Sequence, residues 1–142
     1  MNQEIKSLII ILILFLIIDI PMITKINYDM YNKQFLRINN EKIVKNNDMY
    51  IGGIVAYLCL VLGIYYFVVK DNVNKSFTEI GKIGALFGFI VYGIYNGTNK
   101  ATIAEFGLTE AIKDTVWGTI LCSLISMLTV YFIKKYNWFI IL

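Results

Sequence analysis

Histidine is absent from this 142-residue chain, proline occurs once, and cysteine twice. Without imidazole, the commonest metal ligand and the usual proton shuttle near neutral pH are both missing. Cys59 and Cys122 fall inside long apolar runs, which argues against a disulfide framework and for small apolar side chains. Charge is also scarce: Asp, Glu, Lys and Arg make up 16% of the residues and leave a formal net charge of +3. No basic array is present of the kind that nucleic acid requires.

What is present is apolar surface. Hydrophobic residues make up 58% of the chain, and the mean hydropathy is +0.65. The charges are cleared from four runs, 7–24, 50–69, 83–98 and 111–133, and collected between them. As helices these runs reach about 24 to 35 Å, against a hydrocarbon core of about 30 Å. The pattern predicts an all-α protein, a four-helix transmembrane bundle forming one integral-membrane domain over 1–142. No small-x-small cleavage site follows the first run, and Asp19 and Pro21 interrupt its end. It therefore reads as a retained helix rather than a signal peptide. The abundance of Ile, Asn, Lys and Tyr fits an AT-rich genome, bacterial or from a large DNA virus.

The third run is the most distinctive. Over 84–99 a glycine-rich apolar helix ends in polar side chains that lipid cannot solvate. At 100° per residue, Ala85, Gly88, Tyr92, Asn96 and Asn99 share a face. Gly84 with Gly88, and Gly93 with Gly97, make small-xxx-small steps on opposite sides, which predicts a central helix with neighbours on both. Gly52, Ala56, Cys59 and Gly63 form a similar stripe on the second helix. Thr115, Gly118, Cys122, Ser126 and Thr129 form one on the fourth, with Trp117 on a different side near the boundary.

The connections carry their own signals. Between the first two runs, Tyr28, Tyr31, Phe35 and Ile38 recur at helical spacing with Asn32, Lys33 and Arg37 between them. That predicts a short amphipathic helix lying in the interface. Tyr65, Tyr66 and Lys70 read as an interfacial anchor, 71–82 as a solvated turn, and Thr109 as the N-cap of the fourth helix. The apolar tail 136–142 is too short to span, and is expected to lie in the interface or dock on a partner.

Counting spans places three polar groups at one depth. Asp19 lies near the far end of the first helix, Asn96 and Asn99 near the far end of the third, and Asp114 one turn into the fourth. The arrangement holds in either orientation, which the balance of lysines and arginines leaves open. Asp19, Tyr92, Asn96, Thr98, Asn99 and Asp114 are thus the candidate intramembrane cluster, and Gly52, Ala56, Gly63, Gly84, Gly88 and Gly118 the candidate packing positions. The cluster reads either as a small polar chamber that exchanges a proton or cation, or as helix caps and interhelical hydrogen bonds. Asp19 reads alternatively as an interfacial partner of Lys25.

Gly84-Ala-Leu-Phe-Gly88, Tyr92-Gly-Ile-Tyr95-Asn-Gly-Thr98-Asn99-Lys-Ala-Thr102 and Asp114-Thr-Val-Trp117-Gly118-Thr119 resemble a four-span membrane family, domain-of-unknown-function family 2177, with bacterial and large-virus members. Leu16-Ile-Ile-Asp19 looks like its acidic position in helix one, and Tyr31-Asn-Lys-Gln-Phe35 like its amphipathic connector. Where that family shows Tyr-Asp-x-Thr-Asn, this chain has Tyr95-Asn96-Gly97-Thr98-Asn99. The resemblance implies the fold, and no particular chemistry.

Two functions follow as expectations. One is a non-catalytic structural or partner-holding protein in a bacterial inner membrane or a viral internal membrane, contacting capsid or other membrane proteins or its own copies. The other is a small proton- or cation-coupled transporter using the polar cluster. No activated nucleophile, metal triad or cofactor motif argues for an enzyme.

Overall fold

The computed structural model describes residues 2–40 and 47–136. Most of the predicted tail, 137–142, lies outside them. Five helices follow in order: α1 (Gln3–Pro21), α2 (Tyr28–Asn39), α3 (Asn47–Gly63), α4 (Phe77–Thr102) and α5 (Leu108–Lys135). π-helical turns extend α1 over Met22–Ile26 and α3 over Ile64–Val69. Four helical stretches, Gln3–Ile26, Asn47–Val69, Phe77–Thr102 and Leu108–Lys135, are long and apolar enough to cross a membrane. No strand occurs among the described residues.

The third span is longer than its hydrophobic run. It starts at Phe77, inside the expected turn, because Ser76 and Glu79 close a capping box: Glu79 N–H donates to Ser76 Oγ at 3.3 Å, and Ser76 N–H to Glu79 Oε2 at 3.0 Å. Glu79 and Lys82 thus belong to a helix and not to a loop. The fourth span is capped by Gly107 rather than Thr109, and the Gly107 N–H is taken up by Gln34 Oε1 at 3.1 Å.

α4 and α5 form the closest pair. A Cβ at Gly84 would stand 2.6 Å from Ser126 Oγ and 2.8 Å from the Cys122 carbonyl oxygen. One at Gly88 would run into the Gly118 carbonyl, and one at Gly118 into the Tyr92 ring. Ser123 Oγ donates across the seam to Gly81 O at 2.9 Å. The second glycine step differs: Gly93 and Gly97 face open space. The central helix is α5, which packs against α1, α2, α4 and the end of α3, and not α4 as its glycines suggest.

On α1, Ser7, Ile11, Phe15 and Asp19 repeat every four residues and all turn inward, while Ile9, Ile13 and Ile17 face out. Pro21 does not end the helix. Beyond it the backbone widens into a π turn in which Asn27 N–H reaches Met22 O at 2.8 Å.

α3 behaves differently along its length. Val61, Ile64, Tyr65, Val68 and Val69 are buried in the core beside Ile11, Leu121, Ile125 and Ile133. Tyr65 is therefore a core residue rather than an interfacial anchor. Residues 47–60 are mostly exposed. Of the expected Gly52–Ala56–Cys59–Gly63 packing stripe, Gly63 is buried against Phe87 of α4, whereas nothing lies within 4 Å of a Cβ at Gly52. The N-terminal half of α3 stands away from its neighbours, so its small face borders a cavity.

Overpacking the α4–α5 seam is expected to cost about 1–3 kcal/mol. Thermal unfolding in detergent should show Gly88→Ala clearly destabilised, whereas Gly93→Ala should be neutral or up to about 1 kcal/mol more stable through helix propensity. Equal effects would mean that the two glycine steps are not differently packed.

Candidate functional site

The four-residue repeat on α1 brings the Asp19 carboxyl inward, one rung beyond Phe15, where it is 4% exposed. A carboxylate at this depth is costly unless its oxygens are satisfied. Trp117 Nε1 donates to Asp19 Oδ1 at 2.8 Å, and the Tyr57 hydroxyl to Oδ2 at 2.9 Å. The donors come from α5 and α3, so three helices meet at this one side chain. Asp19 is not a surface partner of Lys25.

One turn earlier on α5, Asp114 has a matching pair of donors. The Tyr31 hydroxyl donates to Oδ1 at 2.6 Å, and Asn96 Nδ2 to Oδ2 at 2.8 Å. Asn96 is buried, and the same nitrogen lies 3.0 Å from Tyr92 O and 3.2 Å from Thr115 Oγ1. Tyr31 belongs to α2. That helix does not present Tyr28, Tyr31, Phe35 and Ile38 as one stripe: Tyr31, Gln34 and Ile38 turn inward, while Tyr28 and Phe35 are exposed. Arg37 pairs with Glu110 at 2.7 Å. With Gln34 on Gly107 N–H, these contacts strap α2 across the start of α5.

Asp19 and Asp114 line one cavity of about 480 Å³, together with Tyr31, Tyr57, Tyr92 and Tyr95. Gly53, Ala56 and Cys59 of α3 form one wall, and Phe87 and Val91 of α4 the facing one. Every hydrogen-bond donor on the two carboxyls named above is neutral. Among the described residues neither carboxyl is in a salt bridge, and no set of three or more metal-ligating side chains occurs.

Of the sequence candidates, Asp19, Tyr92, Asn96 and Asp114 come together here. Asn99 sits apart, beside the Tyr95 hydroxyl. Thr98 is exposed, and its carbonyl accepts from Thr102 Oγ1 at 2.9 Å; it lies at the end of the right helix, on the wrong face. The sequence reading missed Tyr31, Tyr57 and Trp117. A signal existed: phenol and indole groups inside a span need acceptors, and carboxyls were the acceptors at that depth.

Burial, and then the Asp114 carboxyl, push the Tyr31 phenol pKa up. Tyr31 therefore keeps its proton and donates throughout the neutral range. In the unfolded chain the phenol titrates near its ordinary value of about 10. The contribution is thus complete below about pH 10 and declines above it.

A family model described as a predicted membrane protein, DUF2177, matches residues 4–131, a stretch that contains every residue lining the cavity. No curated protein and no solved structure matches the chain.

Tyr31→Phe removes a hydrogen bond to a charged acceptor and is expected to cost about 1.5–3 kcal/mol. Hydrogen exchange should rise across Tyr28–Asn39 in that variant, and its loss of stability should shrink progressively as pH rises above about 10. Unchanged exchange in α2 would show that the bond does not hold the helix.

Proposed function

Because the chain belongs to this family of predicted membrane proteins, its function has to be read from what the bundle holds at depth, and we propose that it is a non-catalytic integral-membrane protein that binds and passes a proton or cation through the cavity between Asp19 and Asp114. One observation carries the reading: two carboxyls from different helices line one cavity of about 480 Å³, without a salt bridge among the described residues. If their purpose were only to knit the bundle, paired amides or hydroxyls would serve at lower desolvation cost, since an aspartate at a helix centre costs roughly 2.5–3.5 kcal/mol on insertion scales. Four neutral donors satisfy the carboxyl oxygens without supplying a countercharge. The site thereby keeps its attraction for a positive charge. Four spans are few for a complete pathway, so a homo-oligomer is part of this proposal.

The structural, partner-holding reading has one observation in its favour. A groove of about 540 Å³ beside Gly93, Gly97 and Ala101 stands open between α4 and α5, shaped for close approach by another helix. In that reading 136–142 supplies a second contact, and capsid or membrane proteins are the partners.

The experiment that separates them uses purified protein in liposomes. A pH or alkali-cation gradient should drive flux that Asp19→Asn and Asp114→Asn each abolish while the variants stay monodisperse. No flux under either gradient, with partner association that weakens when 136–142 is removed, would overturn the carrier reading in favour of the structural one.

A further inference from the structure

The cavity has an unusual wall. Among the described residues, the backbone of α4 approaches α3 only at the π-helical end, over Ile64–Val69. Earlier in α3 the Phe87 ring reaches across to Gly63. Beyond that point Gly53, Ala56 and Cys59 face Val91 and Tyr95 across the cavity. Gly53 has nothing within 4 Å of where a Cβ would be. Cys59 is exposed, and Tyr95 is 59% exposed. Both helices are candidate spans, so this gap faces the hydrocarbon of the membrane rather than water. Another side of the cavity is crossed by α2, tied down through Tyr31 to Asp114 and through Arg37 to Glu110.

The chemistry inside fits one class of occupant. A metal ion wants a shell of about six or more oxygens; here each carboxyl oxygen already accepts a hydrogen bond, and the remaining wall is aromatic and aliphatic. Tyr31, Tyr57, Tyr92, Tyr95 and Phe87 stand around the two carboxyls. Aromatic rings and a carboxylate together bind an organic cation, through attraction to the ring faces and to the negative charge. The volume lies within the range of about 300–1,000 Å³ used by small-molecule sites.

Resting on the carrier reading above, we propose that the cavity takes a lipophilic organic cation, an amine or quaternary onium with an apolar body, which enters sideways from the membrane between α3 and α4. The charged centre sits between Asp19 and Asp114, and the apolar body lies against Phe87, Val91 and Ala56. Alkali cations, which find few free oxygens here, bind more weakly than an organic cation of this kind.

The test is equilibrium binding of radiolabelled tetraphenylphosphonium to the full chain in lipid nanodiscs. Saturable binding is expected, undisturbed by excess sodium or potassium and not displaced by the neutral triphenylphosphine oxide. Asp19→Asn and Asp114→Asn should each weaken it by about tenfold or more, equivalent to a tenfold change in the dissociation constant. Gly53→Trp narrows the gap from a position with nothing within 4 Å of its Cβ and keeps both carboxyls, and should also weaken binding; it serves where an aspartate variant does not fold. Absence of saturable binding, displacement by the neutral oxide, or indifference to Gly53→Trp would overturn the proposal. If those results coincide with carboxyl-dependent proton or alkali-cation flux in liposomes, only the organic-cation assignment fails. If flux is also absent, the carrier reading fails with it.

Discussion

A carboxyl group buried at the depth of a lipid bilayer has to be surrounded by donors, and the architecture follows from meeting that requirement at Asp19. Its two oxygens are satisfied by Trp117 and Tyr57, so α1, α3 and α5 must converge at one level. Phe15, one turn back on the same face of α1, packs edge-on to Tyr57 with ring centroids 5.9 Å apart, which holds the phenol where the carboxyl needs it. The polar contact and the apolar core are thus one structure: the rung that carries Asp19 continues the row of Ser7, Ile11 and Phe15.

Two other features shape the space around that contact. Glycines at 84, 88 and 118 draw α4 and α5 so close that carbonyl oxygens and hydroxyls touch the opposite backbone. The π turn at Ile64–Val69 seats the end of α3 in the core, while its first half diverges. One end of the bundle is therefore solid, and the other encloses a cavity. α2 is tied to the start of α5 by bonding to Asp114 and Glu110. The same helix contributes Tyr31 to the lining, so this tie and the site are not separable.

Much of this was legible in the residues. Cleared charges between 7 and 133 gave four spans, and counting them placed Asp19, Asn96 and Asp114 at one depth before any coordinates. Direction around each helix was harder to read. On α1 the outward row is Ile9, Ile13 and Ile17, and the inward row puts Ile11 and Phe15 between Ser7 and Asp19, so both faces are largely apolar and mark the direction of Asp19 only weakly. The glycine patterns at Gly52 and Gly93 look like those at Gly84 and Gly88, yet only the latter meet a neighbour; small residues permit close approach without dictating it. Trp117 lies on a different side of its helix from the small-residue stripe, near the boundary in sequence, and its N–H goes to the buried Asp19 carboxyl of another helix. The divergence of α3 left no mark in sequence, because it depends on a π turn in an unbroken apolar run.

Asp19, Trp117 and Tyr57 form one coupled unit. A double-mutant cycle combining Asp19→Asn with Trp117→Phe, read from unfolding of the purified protein in detergent, should give a coupling of about 1 kcal/mol or more, with the loss of the indole donor costing far less once the Asp19 carboxyl is gone. Strictly additive effects would mean that the two side chains do not meet, and the shared cavity would lose its foundation.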